Sequence, residues 1–426
     1  MSADVTIRVL GGARQVGKSA VLLKLRGRNF LLDYGVDISG EEPQFPLHVR
    51  PKDIDAVILS HAHLDHSGAV PLLYVSAEPK LYVSPLSLSL TDLLIADFLK
   101  ISKYYIPYES TELERMRACS VLAEYGEWLD LGDVKIRFHN AGHIPGSAMI
   151  ELEVGGARIL YTGDFNLESS CLLAGASLEP FRRADLVIME ATYALFEHPQ
   201  RSLCEKEFVT SLLEVLDHGG TVLVPAFAVG RAQEIMCVLA KYDIGYPVYL
   251  DGMARTVCDI LSGFEEYVRS PSLFRRALEV TRFVKDWRMR KQAVSEPSVI
   301  ISPAGMLKGG AALYYMEKIM DDPKNAVFFV SYQVSGSPGR KVLEEGVFTS
   351  PTKRGTVKAR VEWFDFSSHC GKSHLEEAVK ATPKECKVVI VHSEEEQGLA
   401  FAKYVAEKLG REVQFPKEGS SLSYKL

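Results

Sequence analysis

The pattern of apolar and polar positions divides the chain into three stretches. In the first, short apolar runs are separated by turn residues. Positions 5–10 read as a strand, and 20–25 and 29–33 as a hairpin around Arg26-Gly27-Arg28. The run Ala56-Val57-Ile58-Leu59 reads as a buried strand that leads into Ser60. Positions 89–105 have helical spacing, and strands are expected at 134–138, 148–154, 158–162 and 186–190. The texture then changes. An amphipathic helix at 202–218 precedes a strand at 221–224, and a helix at 230–241, a strand at 248–251 and a helix at 254–267 follow. Strands and helices alternating at this spacing predict a parallel α/β layer. The tail returns to a buried strand at 387–391 and a helix at 395–409. The simplest organisation is one sandwich-like domain made of 1–195 and 361–426, interrupted by an α/β insert at 196–360.

At 426 residues the chain is long enough for two or three domains. No apolar run approaches the roughly 18–20 residues that span a bilayer. The start Met1-Ser2-Ala3-Asp4 lacks the basic-then-apolar order of a signal peptide. The seven cysteines are scattered, with no Cys-x-x-Cys pair, which argues against a disulfide framework or a thiolate zinc site. These features predict a cytoplasmic protein with no membrane partner. The net charge of −6 does not advertise nucleic-acid binding, but local basic patches decide that more than the total does.

The chemistry concentrates in Ser60-His61-Ala62-His63-Leu64-Asp65-His66, on the expected loop after a buried strand. His61 and His63 alternate and can point at one ion. Asp65 and His66 are displaced and can serve a second. Zinc takes imidazole nitrogen and carboxylate oxygen, and catalytic sites leave a position for water. Desolvating four such groups together without a metal would be costly. More candidates end other expected strands: His143 in Ala141-Gly142-His143, Asp164 in Thr162-Gly163-Asp164, and His392 after 388–391. Together they are enough ligands for two ions, with Asp164 able to bridge through its two oxygens. Asp33, in Leu31-Leu32-Asp33-Tyr34-Gly35, reads as a partner that orients a ligand histidine.

His-Ala-His-Leu-Asp-His, Ala-Gly-His and Thr-Gly-Asp resemble the motifs of the metallo-β-lactamase superfamily. Further segments resemble its β-CASP nuclease branch. They are Met189-Glu190-Ala191-Thr192-Tyr193, the run from Pro225 through Gly230-Arg231 to Glu234, Phe366-Ser367-Ser368-His369 and Val391-His392-Ser393-Glu394. The likeness covers essentially the whole chain. It is nearest to archaeal relatives of the cleavage and polyadenylation endonuclease subunit, in a short form without a KH extension. Two positions depart from the pattern, Cys370 after His369 and Ser393 after His392.

The resemblance implies an αββα sandwich with an inserted α/β β-CASP domain. It implies that His61, His63, His143 and Asp164 hold one zinc, and Asp65, His66, Asp164 and His392 the other, giving two Zn²⁺ per chain. Two such ions can activate water for attack on a phosphodiester. The leaving 3′ oxygen needs a proton, and His369 is the candidate donor, held by Glu190. Asp65 counts among the catalytic groups as well as the ligands. Single-stranded RNA is the expected partner. Candidate contacts are Arg231, the Gly/Ser loop with Ser335 and Gly336, and Lys285 and Arg288 of a basic run from Arg282 to Lys291. A second basic run spans Lys353 to Arg360. The expected activity is endonucleolytic RNA hydrolysis in 3′-end processing or decay. A 5′-to-3′ exonuclease of the RNase J type and a small-molecule metallo-hydrolase are the alternatives. The apolar end 422–426 fits a homodimer contact or its own domain equally well.

Overall fold

The computed structural model describes residues 4–40, 42–334 and 336–426. The chain separates into two compact units, one of 1–169, 175–197 and 368–426 and one of 170–174 and 198–367. The strand Arg360–Trp363 straddles the boundary read at 360 and belongs to the sheet of the second unit, by pairing with Ala326–Phe329.

The first unit is built on two seven-stranded sheets. One has the order Ser421–Lys425, Asp4–Gly11, Ala20–Leu25, Arg28–Leu32, Ala56–Ile58, Lys80–Val83, Ser120–Leu122. The other has the order Glu412–Gln414, Lys387–Val391, Leu186–Glu190, Ala157–Tyr161, Ala148–Val154, Val134–Asn140, Trp128–Asp130. Period-two alternation sorts their side chains. Phe30, Leu32, Ile58, Ile188 and Val389 point into the core shared by the two sheets. Leu31 and Val57 face outward into a core with the helices Pro85–Ile101 and Ser110–Ala118. Val187 and Met189 face outward, on the other sheet, toward the helices Lys372–Ala381 and Glu395–Leu409. The result is the expected αββα layering. Both sheets have buried parallel pairs at their centres, Arg28–Leu32 with Ala56–Ile58 in one and Ala157–Tyr161, Leu186–Glu190 and Lys387–Val391 in the other. Parallel strands deliver their carboxyl ends to one edge, and the candidate residues follow those ends.

Two local differences from the sequence reading have plain causes. The helix expected at 89–105 starts at Pro85, because Ser84 caps it by accepting from Ser87 N and proline suits the first turn. The helix expected to 267 stops at Leu261, before Ser262-Gly263, and resumes only as a short turn at Glu265–Tyr267. The C-terminal strand pairs with Asp4–Gly11, and Tyr424 is buried in its own sheet.

The second unit has a six-stranded parallel sheet in the order Thr281–Phe283, Val248–Leu250, Val299–Ser302, Val222–Pro225, Ala326–Phe329, Arg360–Trp363. Helices Arg231–Tyr242, Ala254–Leu261 and Gly310–Ile319 are among its connections. Its central strands read as continuous apolar runs because they are buried on both faces. Among the described residues, no helix is long and apolar enough to cross a membrane.

Candidate metal centre

The strand Ala56–Ile58 ends in the histidine cluster, but the cluster is not all loop. His63 precedes one helical turn, Leu64–Ser67, which swings Asp65 and His66 away from His61 and His63. This turn separates the four side chains into two groups. Ligand atoms of His61, His63 and His143 all lie within 4.8 Å of one another, and so do those of Asp65, His66, Asp164 and His392. Asp164 stands between the groups. Its Oδ2 is 3.7 Å from Nε2 of both His61 and His143. Its Oδ1 is 3.3 Å from His66 Nε2 and 3.2 Å from His392 Nδ1. His392 Nε2 is 3.4 Å from Asp65 Oδ2.

Close packing here depends on glycine at two places. A Cβ on Gly35 would lie 1.8 Å from the carbonyl oxygen of Asp65, so the strand end and the helical turn could not meet. Gly163 has φ +51°, and a Cβ there would press on the Ser60 side chain at 2.7 Å. Asp33 and His392 adopt the left-handed region without being glycine, at φ +56° and +47°. Such strain gathers where surrounding contacts fix a residue for a purpose.

Neighbours fix which nitrogen each ring presents. Asp33 is fully buried and accepts four hydrogen bonds: from Ser60 N at 2.7 Å, Ser60 Oγ at 2.7 Å, Tyr161 OH at 2.8 Å and His66 Nδ1 at 2.7 Å. With Nδ1 held, His66 turns Nε2 toward Asp164. His143 Nδ1 donates to Ser368 O at 3.0 Å, which leaves Nε2 facing His63 Nδ1 at 3.1 Å. His61 Nδ1 lies 3.0 Å from Ser60 Oγ. Thr192 Oγ1 donates to Glu190 Oε2 and lies 3.3 Å from His392 Nδ1.

Burial pushes the imidazoles of His61 and His143 well below their ordinary pKa, so both are neutral and offer lone pairs. Burial also opposes charge on His66, but Asp164 and Asp33 outweigh it and hold that ring well above its usual value. Burial would raise Asp164, yet His392, His66 and His369 hold it well below the usual carboxylate range.

The fit to metal is carried by atoms left over. His61 Nε2, His392 Nε2 and Asp164 Oδ1 are buried and have no hydrogen-bond partner. The imidazole nitrogens of His66 and His392 lie 3.3 and 3.2 Å from Asp164 Oδ1 but are not aligned for a hydrogen bond, which leaves its lone pairs unmatched. Orphaned buried acceptors cost about 1–3 kcal/mol each, and one cation among them would satisfy several at once. The donor set of imidazole nitrogen and carboxylate oxygen suits a borderline divalent ion.

Beside this cluster, Glu190 ends Leu186–Glu190 and is 1 % exposed. Its oxygens lie 2.9 and 3.0 Å from His369 Nδ1, and Oε1 accepts from Phe165 N at 2.9 Å. Burial opposes charge on His369, but Glu190 and Asp164 overcome it and push its pKa up to about 9. The His369 ring lies 4.6 Å from that of His143 and 5.9 Å from that of Tyr193. The departures from the motif pattern are accommodated. Cys370 is buried in the outer core, and Ser393 Oγ donates to Ala191 O at 2.7 Å.

The candidate RNA contacts all belong to the second unit. Arg231 opens the helix Arg231–Tyr242 and is half-buried. Gly336 has φ +76° just before the helix Pro338–Glu345, and Ser335 lies outside the described residues. Lys285 and Arg288 are exposed. The basic runs are less uniform than their sequence suggests. Arg290 turns inward to buried Asp251 at 2.6 Å, and Arg282 faces Glu296 at 3.3 Å. Lys353 pairs with Asp321 at 2.6 Å, and Arg360 pairs with Glu214 and Glu362.

Sequence reasoning missed the supporting residues Ser60, Tyr161, Ser368 and Thr192. Tyr161 had a signal, since alternation along Ala157–Tyr161 puts it on the same inner face as Ile159, next to the cluster. Ser368 acts through its carbonyl, which no side-chain motif reveals.

Three family descriptions match the chain: the metallo-beta-lactamase superfamily over residues 13–202, the Beta-Casp domain over 232–342, and the Zn-dependent metallo-hydrolase RNA specificity domain over 354–416. "RNase aCSPSF2" of Saccharolobus solfataricus is 41 % identical over 98 % of this chain and 85 % of its own length. "Probable RNase MJ4" of Methanocaldococcus jannaschii is 34 % identical over 97 % of this chain and 98 % of its own. "Transcription termination factor FttA" of Pyrococcus abyssi is 33 % identical over 97 % of this chain and 70 % of its own. A crystal structure of a protein of unknown function from Enterococcus faecalis covers 100 % of both chains with a TM-score of 0.63 at 14 % identity, a likeness of fold. The chain belongs to the metallo-β-lactamase superfamily, in its β-CASP ribonuclease branch.

Proposed function

We propose that the protein is a metal-dependent ribonuclease that hydrolyses phosphodiester bonds of single-stranded RNA, cutting internally, in RNA 3′-end processing or termination. The observation that carries the reading is the set of orphaned lone pairs arranged around Asp164. The names of its relatives support the substrate class.

His61, His63 and His143 with Asp164 Oδ2 would hold one cation, and Asp65, His66 and His392 with Asp164 Oδ1 a second. Zinc is the ion we assign, from the nitrogen-rich donor set. Bound there, the pair would supply Lewis acidity, lowering the pKa of water and neutralising charge on phosphate. The chain's own residues do the rest. Asp33 fixes His66 through Nδ1, and Ser368 O fixes His143, so each ring meets its ion in one orientation. Glu190 holds His369 by Nδ1, which leaves Nε2 as the atom that passes a proton to the departing 3′ oxygen. His369 also lies within ligand distance of His143 and Asp164, so its role must be separated from coordination by experiment.

We assign RNA contacts to Arg231, Lys285, Arg288, Ser335 and Gly336 and place the protein in the cytoplasm. Of the two alternatives for the C-terminal segment, a homodimer contact or its own domain, the burial of Tyr424 in its own sheet supports the second. The deciding experiment uses RNA labelled separately at each end, with and without a chelator. Internal fragments from both labels, abolished by the chelator, are expected. Only mononucleotides released from the 5′ end would point to the exonuclease instead, and no cleavage with hydrolysis of a lactone or thioester would point to the small-molecule hydrolase.

A further inference from the structure

The second unit holds an aromatic feature that the metal-centre chemistry does not use. Trp287 opens the short helix Trp287–Ala293 and is 59 % exposed. A scattered exposed apolar side chain needs no explanation, but this one is braced. Asp251 follows the strand Val248–Leu250 and is 2 % exposed. It accepts from Arg290 Nε at 2.6 Å, from Arg290 Nη2 at 3.2 Å and from Tyr315 OH at 2.8 Å. Gripped this way, the Arg290 guanidinium lies 4.9 Å from the centre of the Trp287 ring. Tyr314 meets the same indole at 5.0 Å and 83°, edge to face. A half-buried ion pair and a second aromatic thus fix the ring's orientation while more than half of its surface faces water.

The charge along 285–291 is mostly positive, four basic side chains to the one acid, Asp286. Lys285, Arg288 and Lys291 are exposed, and among the described residues none of them forms an ion pair. The Lys318 ammonium lies 5.8 Å from the centre of the Tyr314 ring. The acids nearby are already engaged: Glu296 by Arg282 and Tyr249, Asp251 by Arg290 and Tyr315, and Asp286 by the amide of Met289. An open, pre-oriented indole with exposed, unpaired cations two positions before it and one and four positions after it along the chain suits a flat apolar ligand that carries anions at its edges. A nucleobase with its flanking phosphates has that form. Stacking on an aromatic face contributes about 1–3 kcal/mol per base, with little dependence on sequence. Ordering costs stay low because Arg290 and Tyr314 hold the ring beforehand.

We propose that Trp287, braced by Arg290 and Tyr314, is a stacking platform for one base of single-stranded RNA, with Lys285, Arg288 and Lys291 receiving the adjoining phosphates. The proposal rests on the ribonuclease reading. It separates two contributions on one surface: Trp287 reads the presence of a base, and the cations read the backbone.

The test is equilibrium binding of a single-stranded adenosine oligoribonucleotide and of an abasic ribose-phosphate oligomer of equal length. The protein carries His369→Ala and its metals, so that the RNA stays intact. Adding Trp287→Ala should weaken binding to the adenosine oligomer by about 5- to 150-fold, the stacking range above, and leave the abasic oligomer within about twofold. Trp287→Phe should recover most of the loss, which excludes a folding defect as the cause. Equal affinity of Trp287→Ala for the adenosine oligomer, or equal loss on both oligomers, would overturn the platform. If the protein with Trp287 intact binds neither oligomer and the unmutated enzyme cuts no RNA, the ribonuclease reading itself has failed.

Discussion

The chain contains two buried clusters that look alike by composition and differ in one respect. The first surrounds Asp164. The second brings Cys171, Glu205 and Glu234, all of the other unit, within 4.8 Å of one another. Both have ligand-type atoms at ligand-type spacing. In the second, every carboxylate oxygen has a donor. Glu234 accepts from Cys171 N at 3.1 Å and Leu172 N at 2.7 Å. Glu205 accepts from Lys241 Nζ at 2.6 Å, Tyr242 OH at 3.3 Å and Cys171 Sγ at 3.4 Å. Burial, with Glu234 and Glu205 beside it, pushes the Cys171 thiol far up, so the sulfur keeps its proton. That cluster ties the 170–174 segment to its own unit, and Lys241 supplies the cation. Among the described residues no lysine or arginine pairs with Asp164, and acceptors around it remain unmatched. Proximity of ligand types is therefore a poor guide to metal; the unsatisfied lone pairs separate the two.

The strongest way to break this comparison is to remove Asp164. Asp164→Ala should lose detectable RNA cleavage and lower the metal content, which the proposed assignment puts at about two zinc ions per chain, read by elemental analysis alongside circular dichroism. His392→Ala should do the same through the second ion. Near-normal cleavage by either variant would overturn the ligand assignment. Next in size is His369→Ala, expected to keep both metals and bind RNA while the cleavage rate falls by roughly 10²–10⁴-fold. A 3′-phosphorothiolate substrate, whose leaving group needs little protonation, should recover much of that loss, and Glu190→Gln should show a milder form. Loss of one zinc in His369→Ala would move this residue into the metal centre.

In the matched cluster the expected effect is on stability alone. Glu234→Ala leaves the amides of Cys171 and Leu172 without an acceptor and should cost about 1–3 kcal/mol in denaturant unfolding, with metal content unchanged. A drop in bound metal would mean that the contrast between the clusters is wrong. The smallest effect belongs to the exposed cations. Lys285→Glu with Arg288→Glu should flatten the dependence of log affinity on log salt, by roughly 0.7 for each phosphate that is no longer neutralised. An unchanged slope would make the two ordinary solvated surface.

By itself the sequence determined the order of strands and helices, the α/β insert and the identity of the ligand candidates, while the αββα layering followed from the family resemblance. Short runs bounded by turn residues mark the strands, and continuous apolar runs such as 56–59 and 387–391 mark buried ones. Ligands at strand ends are legible because chain direction puts those ends on one edge. Tertiary structure decided how the ligands group. The single turn Leu64–Ser67 sends Asp65 and His66 to one side, and Asp164 divides its two oxygens between the two sets. Only the fold shows that Asp33 spends its oxygens on Ser60, Tyr161 and His66. Only the fold shows that Arg290, read as one cation of an exposed run, turns inward to Asp251 and carries Trp287 on its face. The physical reason is one of range. Periodicity and turn chemistry act over a few residues, whereas the state of a buried polar atom depends on partners brought together from 33 to 225 positions away along the chain.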